Sequence, residues 1–206
     1  SPYLIEIRLS GPVKFYTKRL IFEVSRKFRV FGATKNRPVP HITLFGPFLA
    51  SNESELISIF DKYCANFSNA TNSRAELISY DIRGFDAFDG DIGKVIALDL
   101  EPSEKLKDFR WELAKNLHPI SRAKPWDYKR NFIFHATIAF RDIGKKWTSI
   151  LNYLRRREKG IGKQYVYRIT LLKNSKILRE YDFLMKKSLT RTEAKSTKIG
   201  RKYKKS

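Results

Sequence analysis

From Val13 to Phe28, apolar side chains recur every three or four positions, at Val13, Tyr16, Leu20, Val24 and Phe28. That spacing lines one side of a helix. It returns at Leu56, Ile59, Phe60 and Tyr63, and again at Leu106, Phe109, Leu113 and Leu117, predicting helices over 53–67 and 104–117. Ser51 or Asn52 can cap the earlier of these and Ser103 the later. A shorter helix is expected over about 145–157. Alternating or unbroken apolar runs predict strands over 3–9, 41–44, 75–85, 94–100, 132–140, 164–172 and 177–185. Gly11-Pro12 closes the first strand, Gly32 stops the first helix, and Phe45-Gly46-Pro47-Phe48 ends the strand that opens at His41. Asp86 to Asp91 reads as the loop of a hairpin.

Written as elements, residues 1–92 run strand, helix, strand, helix, strand. Residues 93–186 repeat that order with one strand added. His41 follows Tyr3 by 38 residues and His135 follows Lys94 by 41. A pseudo-twofold pairing of these halves would bring the strands holding the two histidines together across a cleft. Beyond Lys187 the chain is Lys, Arg, Ser and Thr with few apolar groups, and residues 187–206 are expected to form a basic, disordered tail.

A chain of 206 residues, 42% hydrophobic and 14% aromatic, supports one packed domain. The formal charge of +21 is spread along it: residues 186–206 hold nine Lys/Arg against one Glu, and the other 185 residues hold 33 against 20. A body that is basic in its own right points to a polyanion, nucleic acid above all. A membrane partner is not expected, since no apolar run approaches a span of about 20 residues. The single cysteine, Cys64, excludes an internal disulfide and fits a reducing compartment such as the cytoplasm.

The chemistry concentrates in two tetrapeptides, His41-Ile42-Thr43-Leu44 and His135-Ala136-Thr137-Ile138. On a strand, alternate side chains share a face, so each motif presents an imidazole beside a hydroxyl with apolar anchors behind. Two imidazoles facing one phosphorus can divide the work, one taking a proton and the other giving one. The threonine hydroxyls suit the non-bridging phosphate oxygens. Thr is ten of 206 residues, so two of three histidines having Thr two places on is a coincidence of roughly 1%. His118, at a helix end before Pro119, suits the helix dipole and reads as structural. No metal-ligand spacing is present, and neither metal nor cofactor is expected.

Paired His-x-Thr-hydrophobic motifs in an α/β chain of this size resemble the 2H phosphoesterase superfamily. "PHITLFGPF" and "FHATIAF" are similar to its archaeal and bacterial branch, the 2′-5′ RNA ligases or RNA 2′,3′-cyclic phosphodiesterases. The resemblance implies an α+β fold over 1–186 with two pseudo-twofold lobes, each an antiparallel-rich sheet with outer helices, and a cleft between. It implies metal-free hydrolysis of RNA 2′,3′-cyclic phosphate ends, tRNA fragments among them, to 2′-phosphates by a monomer, and with a 5′-hydroxyl in place of water, ligation. His41 would be the acid toward O3′, His135 the base on water, and Thr43 and Thr137 the phosphate ligands.

Relatives commonly carry an arginine where this chain has Phe140; Arg141 follows, and replaces it only if the strand has ended or bulged. Phe45, Phe48 and Trp126 are candidates for stacking on a base, and Lys35 and Arg37 for raising the potential before His41. Two other readings stand beside the hydrolase: a non-catalytic RNA-binding module on the same fold, and a related enzyme that trims RNA 3′ ends.

Overall fold

The structure is a computed structural model that describes residues 1–35, 39–69, 77–157 and 161–199. In chain order it contains β1 (Tyr3–Arg8), α1 (Gly11–Phe28), β2 (His41–Ala50), α2 (Glu53–Asn69), β3 (Ser79–Gly90), β4 (Gly93–Pro102), α3 (Glu104–Leu117), β5 (Ser121–Arg122) and β6 (His135–Phe140). Then follow α4 (Trp147–Arg155), β7 (Gln164–Tyr165), β8 (Arg168–Lys173), β9 (Lys176–Asp182), β10 (Lys187–Leu189) and α5 (Arg191–Ser196). α2 and α3 start where short polar side chains accept from the first free N–H groups. Asn52 Oδ1 accepts from Glu55 N–H at 3.1 Å, and Ser103 Oγ from Leu106 N–H at 3.2 Å.

The strands form two antiparallel sheets, one of six in the order β10-β9-β8-β1-β2-β5 and one of four in the order β6-β4-β3-β7. The fold is thus α+β and two-lobed, with a His-x-Thr strand in each sheet. The lobes do not divide at residue 92, however. β3, from the first half, pairs with β4 beside β6, while β8 and β9, from the second half, extend the sheet of β1 and β2. Local periodicity sets each strand; pairing between distant strands sets the lobe, and a linear reading of element order does not contain it. β2 and β6 approach within 8 Å, Cα to Cα, although they belong to different sheets.

Two segments depart from their sequence reading. The Asp-rich run 86–89 is not a loop but the end of β3, and the hairpin turns at Asp91-Ile92 with Gly90 paired to Gly93. Gly32 does not stop α1, which ends at Arg29 in the left-handed conformation (φ 52°). Gly32 is instead pressed against β6, where a Cβ would meet the Phe140 carbonyl oxygen at 2.1 Å. Its N–H and that of Phe31 donate to the Asp142 carboxylate at 3.0 and 2.6 Å. This ties the segment leading into His41 to the far end of the other motif strand.

The expected disordered tail is structured as far as Ile199; residues 200–206 lie outside the described residues. β10 pairs with β9, Leu189 is buried, and Ser188 Oγ donates to Asp61 Oδ1 at 2.6 Å. Thr190 and Glu193 form a capping box at the start of α5. The group that docks this segment lies on β8. Buried Arg168 donates to Glu180 at 2.8 Å and Asp182 at 2.7 Å, then reaches the carbonyls of Ala194 at 3.3 Å and Thr197 at 3.2 Å. Removing residues 187–206 should therefore destabilise the fold by about 3 kcal/mol or more, through lost burial and a partly uncompensated guanidinium. Thermal unfolding of this truncation beside the full chain checks the statement.

Candidate active site

His41 opens β2 and His135 opens β6. Both strands begin with the expected alternation: the histidine and threonine are half-buried and the residues between are fully buried. Both then bulge at the same place in the motif. Thr43 pairs with Glu6 and Phe45 with Ile5, leaving Leu44 unmatched; Thr137 pairs with Ala97 and Ala139 with Ile96, leaving Ile138 unmatched. A bulge puts two successive residues on one side and bends the strand. Leu44 and Phe45 both enter the core in consequence, as do Ile138 and Ala139.

The two imidazoles are held alike. His41 Nδ1 is 2.8 Å from the Val39 carbonyl oxygen, and His135 Nδ1 is 3.0 Å from that of Ile133. A carbonyl only accepts, so Nδ1 carries the hydrogen in each ring and Nε2 is left for proton exchange. Their surroundings differ. Burial holds the pKa of His135 below the usual histidine range, with the neighbouring His41 adding to the effect and the Ile133 carbonyl opposing it. Phe88 packs edge-on against the His135 ring, with centroids 4.7 Å apart. His41 Nε2 instead faces the buried Glu6 carboxylate at 3.8 Å, whose other oxygen accepts from Arg8 Nε at 2.9 Å.

A cleft of about 540 Å³ opens here, its wall formed by Thr43, Gly46, Phe88, Trp126, Phe132 and His135. Trp126 sits in a 3-10 turn (Pro125–Tyr128) and is 45% exposed, with Lys124 Nζ 5.6 Å from its ring centroid. The turn is anchored from below by Arg110, a fully buried residue of α3. Its Nε donates to the Leu44 carbonyl at 3.0 Å, and its two Nη groups donate to the carbonyls of Lys129 and Asp127, each at 2.5 Å. The guanidinium also stacks 4.0 Å from the Phe132 ring centroid. Burial lowers its pKa to about 10, with the Asp127 carboxylate acting the other way. Asp127 in turn accepts the Gly46 N–H at 3.0 Å. One guanidinium thus ties β2, next to Thr43, to the loop that forms the opposite wall.

Of the residues named from sequence, Thr43, His135 and Trp126 line this cleft, and His41 and Thr137 share the strand faces of Thr43 and His135. Among the described residues neither threonine hydroxyl is taken up by another side chain. Phe45 and Phe48 do not stack on a base: they are 0% and 2% exposed and pack edge-on against each other, 5.0 Å between centroids. The bulge at Leu44 turns Phe45 inward, which strict alternation could not foresee. Arg141 does not line the cleft. It follows the end of β6 with φ 72° and lies over the Phe140 ring. With Lys35 it borders a separate depression near Phe31 and Gly32. Arg37 lies outside the described residues. His118 caps α3 and packs edge-on against Tyr128. Glu6, Arg8, Phe88, Arg110 and Asp127 escaped the sequence reading. Glu6 carried a faint signal, as an acid among apolar neighbours in a strand whose other face is buried.

Two antiparallel sheets, each offering a bulged His-x-Thr strand to one cleft, define a 2H phosphoesterase. The sequence model of the 2′-5′ RNA ligase superfamily matches residues 21–176, and the chain belongs to that family. Among solved structures, TT0787 of Thermus thermophilus is 16% identical, with 89% of this chain and 98% of that one covered at a TM-score of 0.52. At that identity the likeness is one of fold. Usb1 of Kluyveromyces marxianus, solved alone and with uridine monophosphate, is 10% and 12% identical, with TM-scores of 0.48 and 0.46. Each covers 85% of this chain and 95% of that one. A comparison with curated protein sequences found no match.

Proposed function

We propose that this protein hydrolyses 2′,3′-cyclic phosphate ends of RNA to 2′-phosphates, with His135 as general base and His41 as general acid. The observation that carries the reading is the matched pair of imidazoles, each with Nδ1 on the carbonyl two residues back. The difference between them supports the assignment of roles. His135 is kept neutral by burial, as a base must be at neutral pH. His41 has a buried carboxylate beside Nε2, an ion pair whenever the ring is protonated.

In the step this implies, His135 Nε2 removes a proton from water as the water oxygen bonds to phosphorus. The P–O3′ bond breaks, and His41 Nε2 delivers its proton to the departing O3′. The product carries a 2′-phosphate and a 3′-hydroxyl, and solvent returns the proton from His135 to His41. Thr43 and Thr137 hydrogen-bond the non-bridging oxygens as negative charge builds on them. A 5′-hydroxyl in the place of water gives ligation by the same proton transfers. A net charge of +21 suits a polyanionic RNA.

The pH dependence tests the roles. Because His135 must be neutral and its pKa lies below the ordinary 6.5, kcat/KM for a 2′,3′-cyclic mononucleotide should rise with pH along a limb centred below 6.5. EDTA should leave the profile intact. A limb centred well above 6.5, or strict dependence on added metal, contradicts the assignment.

A further inference from the structure

The register of the six-stranded sheet sets polar side chains in rows that run away from the histidine pair. Directly opposed residues on antiparallel strands share a face. Thr43 is opposite Glu6, Glu6 opposite Thr170, and Thr170 opposite Glu180. One step along, His41 is opposite Arg8 and Arg168 opposite Asp182. This face stays polar from β2 to β9, about 14 Å across three strand spacings, in a sheet whose other face is core.

The outer part of this row is internally satisfied. Thr170 Oγ1 donates to Glu180 at 2.8 Å, and Arg168 is committed to Glu180, Asp182 and the end of α5. The inner part is not. Arg8 gives only Nε to Glu6, leaving both Nη groups without a partner among the described residues. They face a second cavity, of about 410 Å³, enclosed between the two sheets and the start of α1. Its walls include Ser10, Lys163, Gln164, Tyr165 and Thr170, and Lys163 is exposed at its margin with no ion-pair partner among the described residues. The volume lies within the ~300–1,000 Å³ typical of ligand sites. Glu6 stands between the two cavities, opposite Thr43 of the first and Thr170 of the second.

We propose that this second cavity binds the ribonucleotide next to the reacting end of the RNA, with Arg8 and Lys163 on the phosphate that joins the two nucleotides. The proposal rests on the reading of the first cleft as the site of the terminal cyclic phosphate. A mononucleotide fills the first cleft alone. A chain of two or more nucleotides continues past His41 towards the start of α1, where Arg8 and Lys163 border the cavity and meet its phosphate.

The test is binding of a mononucleotide 2′-phosphate and of a dinucleotide ending in the same group, each to the full chain. The dinucleotide should bind about tenfold more tightly, by more at low salt than at high salt. Lys163→Glu reverses the marginal charge. Ser10→Trp fills the cavity from a position whose side chain makes no capping bond to α1. Each variant should abolish the tenfold gain while leaving mononucleotide affinity within about twofold. Equal affinities in the wild type, or a gain that survives both variants, overturns the proposal. Turnover of a 2′,3′-cyclic mononucleotide reports separately on the first cleft, so failure of the catalytic reading and failure of this one are told apart.

Discussion

His135→Ala is expected to lower kcat/KM for a 2′,3′-cyclic nucleotide by about 10²–10⁴-fold, the usual contribution of one well-placed general base. The fold should survive, because the side chain gives up one hydrogen bond, to Ile133, and one edge contact, to Phe88. His135→Asn is the stricter form of the experiment. Its amide can still donate to the Ile133 carbonyl yet cannot take up a proton at neutral pH, so the geometry remains and the rate should still collapse. His41→Ala should fall by a comparable factor through loss of the acid. The double variant should be little worse than either single one, since the two groups act in one step. Full activity in either single variant would remove the histidines from the mechanism. RNA affinity that is unchanged by these substitutions, with no product formed by the wild type, would favour a binding module.

The second large effect is expected at Arg110. Arg110→Met removes the donors to three carbonyls, those of Leu44, Lys129 and Asp127, two of them in buried hydrogen bonds, and leaves the Asp127 carboxylate without its cation. Removing one partner of a buried ion pair typically destabilises by about 3–5 kcal/mol. For a chain of this size that is a fall in Tm on the order of 10 °C. Activity should drop below the transition as well, because Leu44 adjoins Thr43 and the Asp127–Lys129 segment carries the cleft wall. Adding Asp127→Asn should return part of the stability, since it removes the uncompensated charge, and the two changes should not be additive. Thermal unfolding of the four proteins of this cycle checks both statements.

The parts of the structure governed by local period were legible in the sequence. Apolar spacing marked the three long helices, and Asn52 and Ser103 cap two of them as their side-chain chemistry suggests. Both His-x-Thr strands have the alternation that sets imidazole and hydroxyl on one face. What was hidden depends on contacts far along the chain. The bulges at Leu44 and Ile138 arise in the pairing with β1 and β4, and the first of them decides that Phe45 is core; Arg141 follows the end of β6 in the left-handed conformation and borders a separate depression. The exchange of β3 and β8 between lobes is a matter of strand partners. The segment after Lys187 has few apolar groups of its own and is ordered by Arg168, two strands earlier. Phe88 was obscured by its Asp and Gly neighbours, whose composition suggests a loop where the strand in fact continues. Arg110 occupies the inner side of α3 among leucines, where its charge argues for solvent until its buried acceptors are known.

The central claim is that the paired histidines open a cyclic phosphate on the O3′ side. Its most direct test is the phosphorus NMR spectrum of a short RNA ending in a 2′,3′-cyclic phosphate, after incubation with the protein in EDTA. The account predicts that the wild-type protein replaces the cyclic phosphate signal with that of a 2′-phosphomonoester alone, and that the cyclic signal persists with His135→Asn. A 3′-phosphomonoester, or a cyclic phosphate left intact by the wild-type protein, would contradict it.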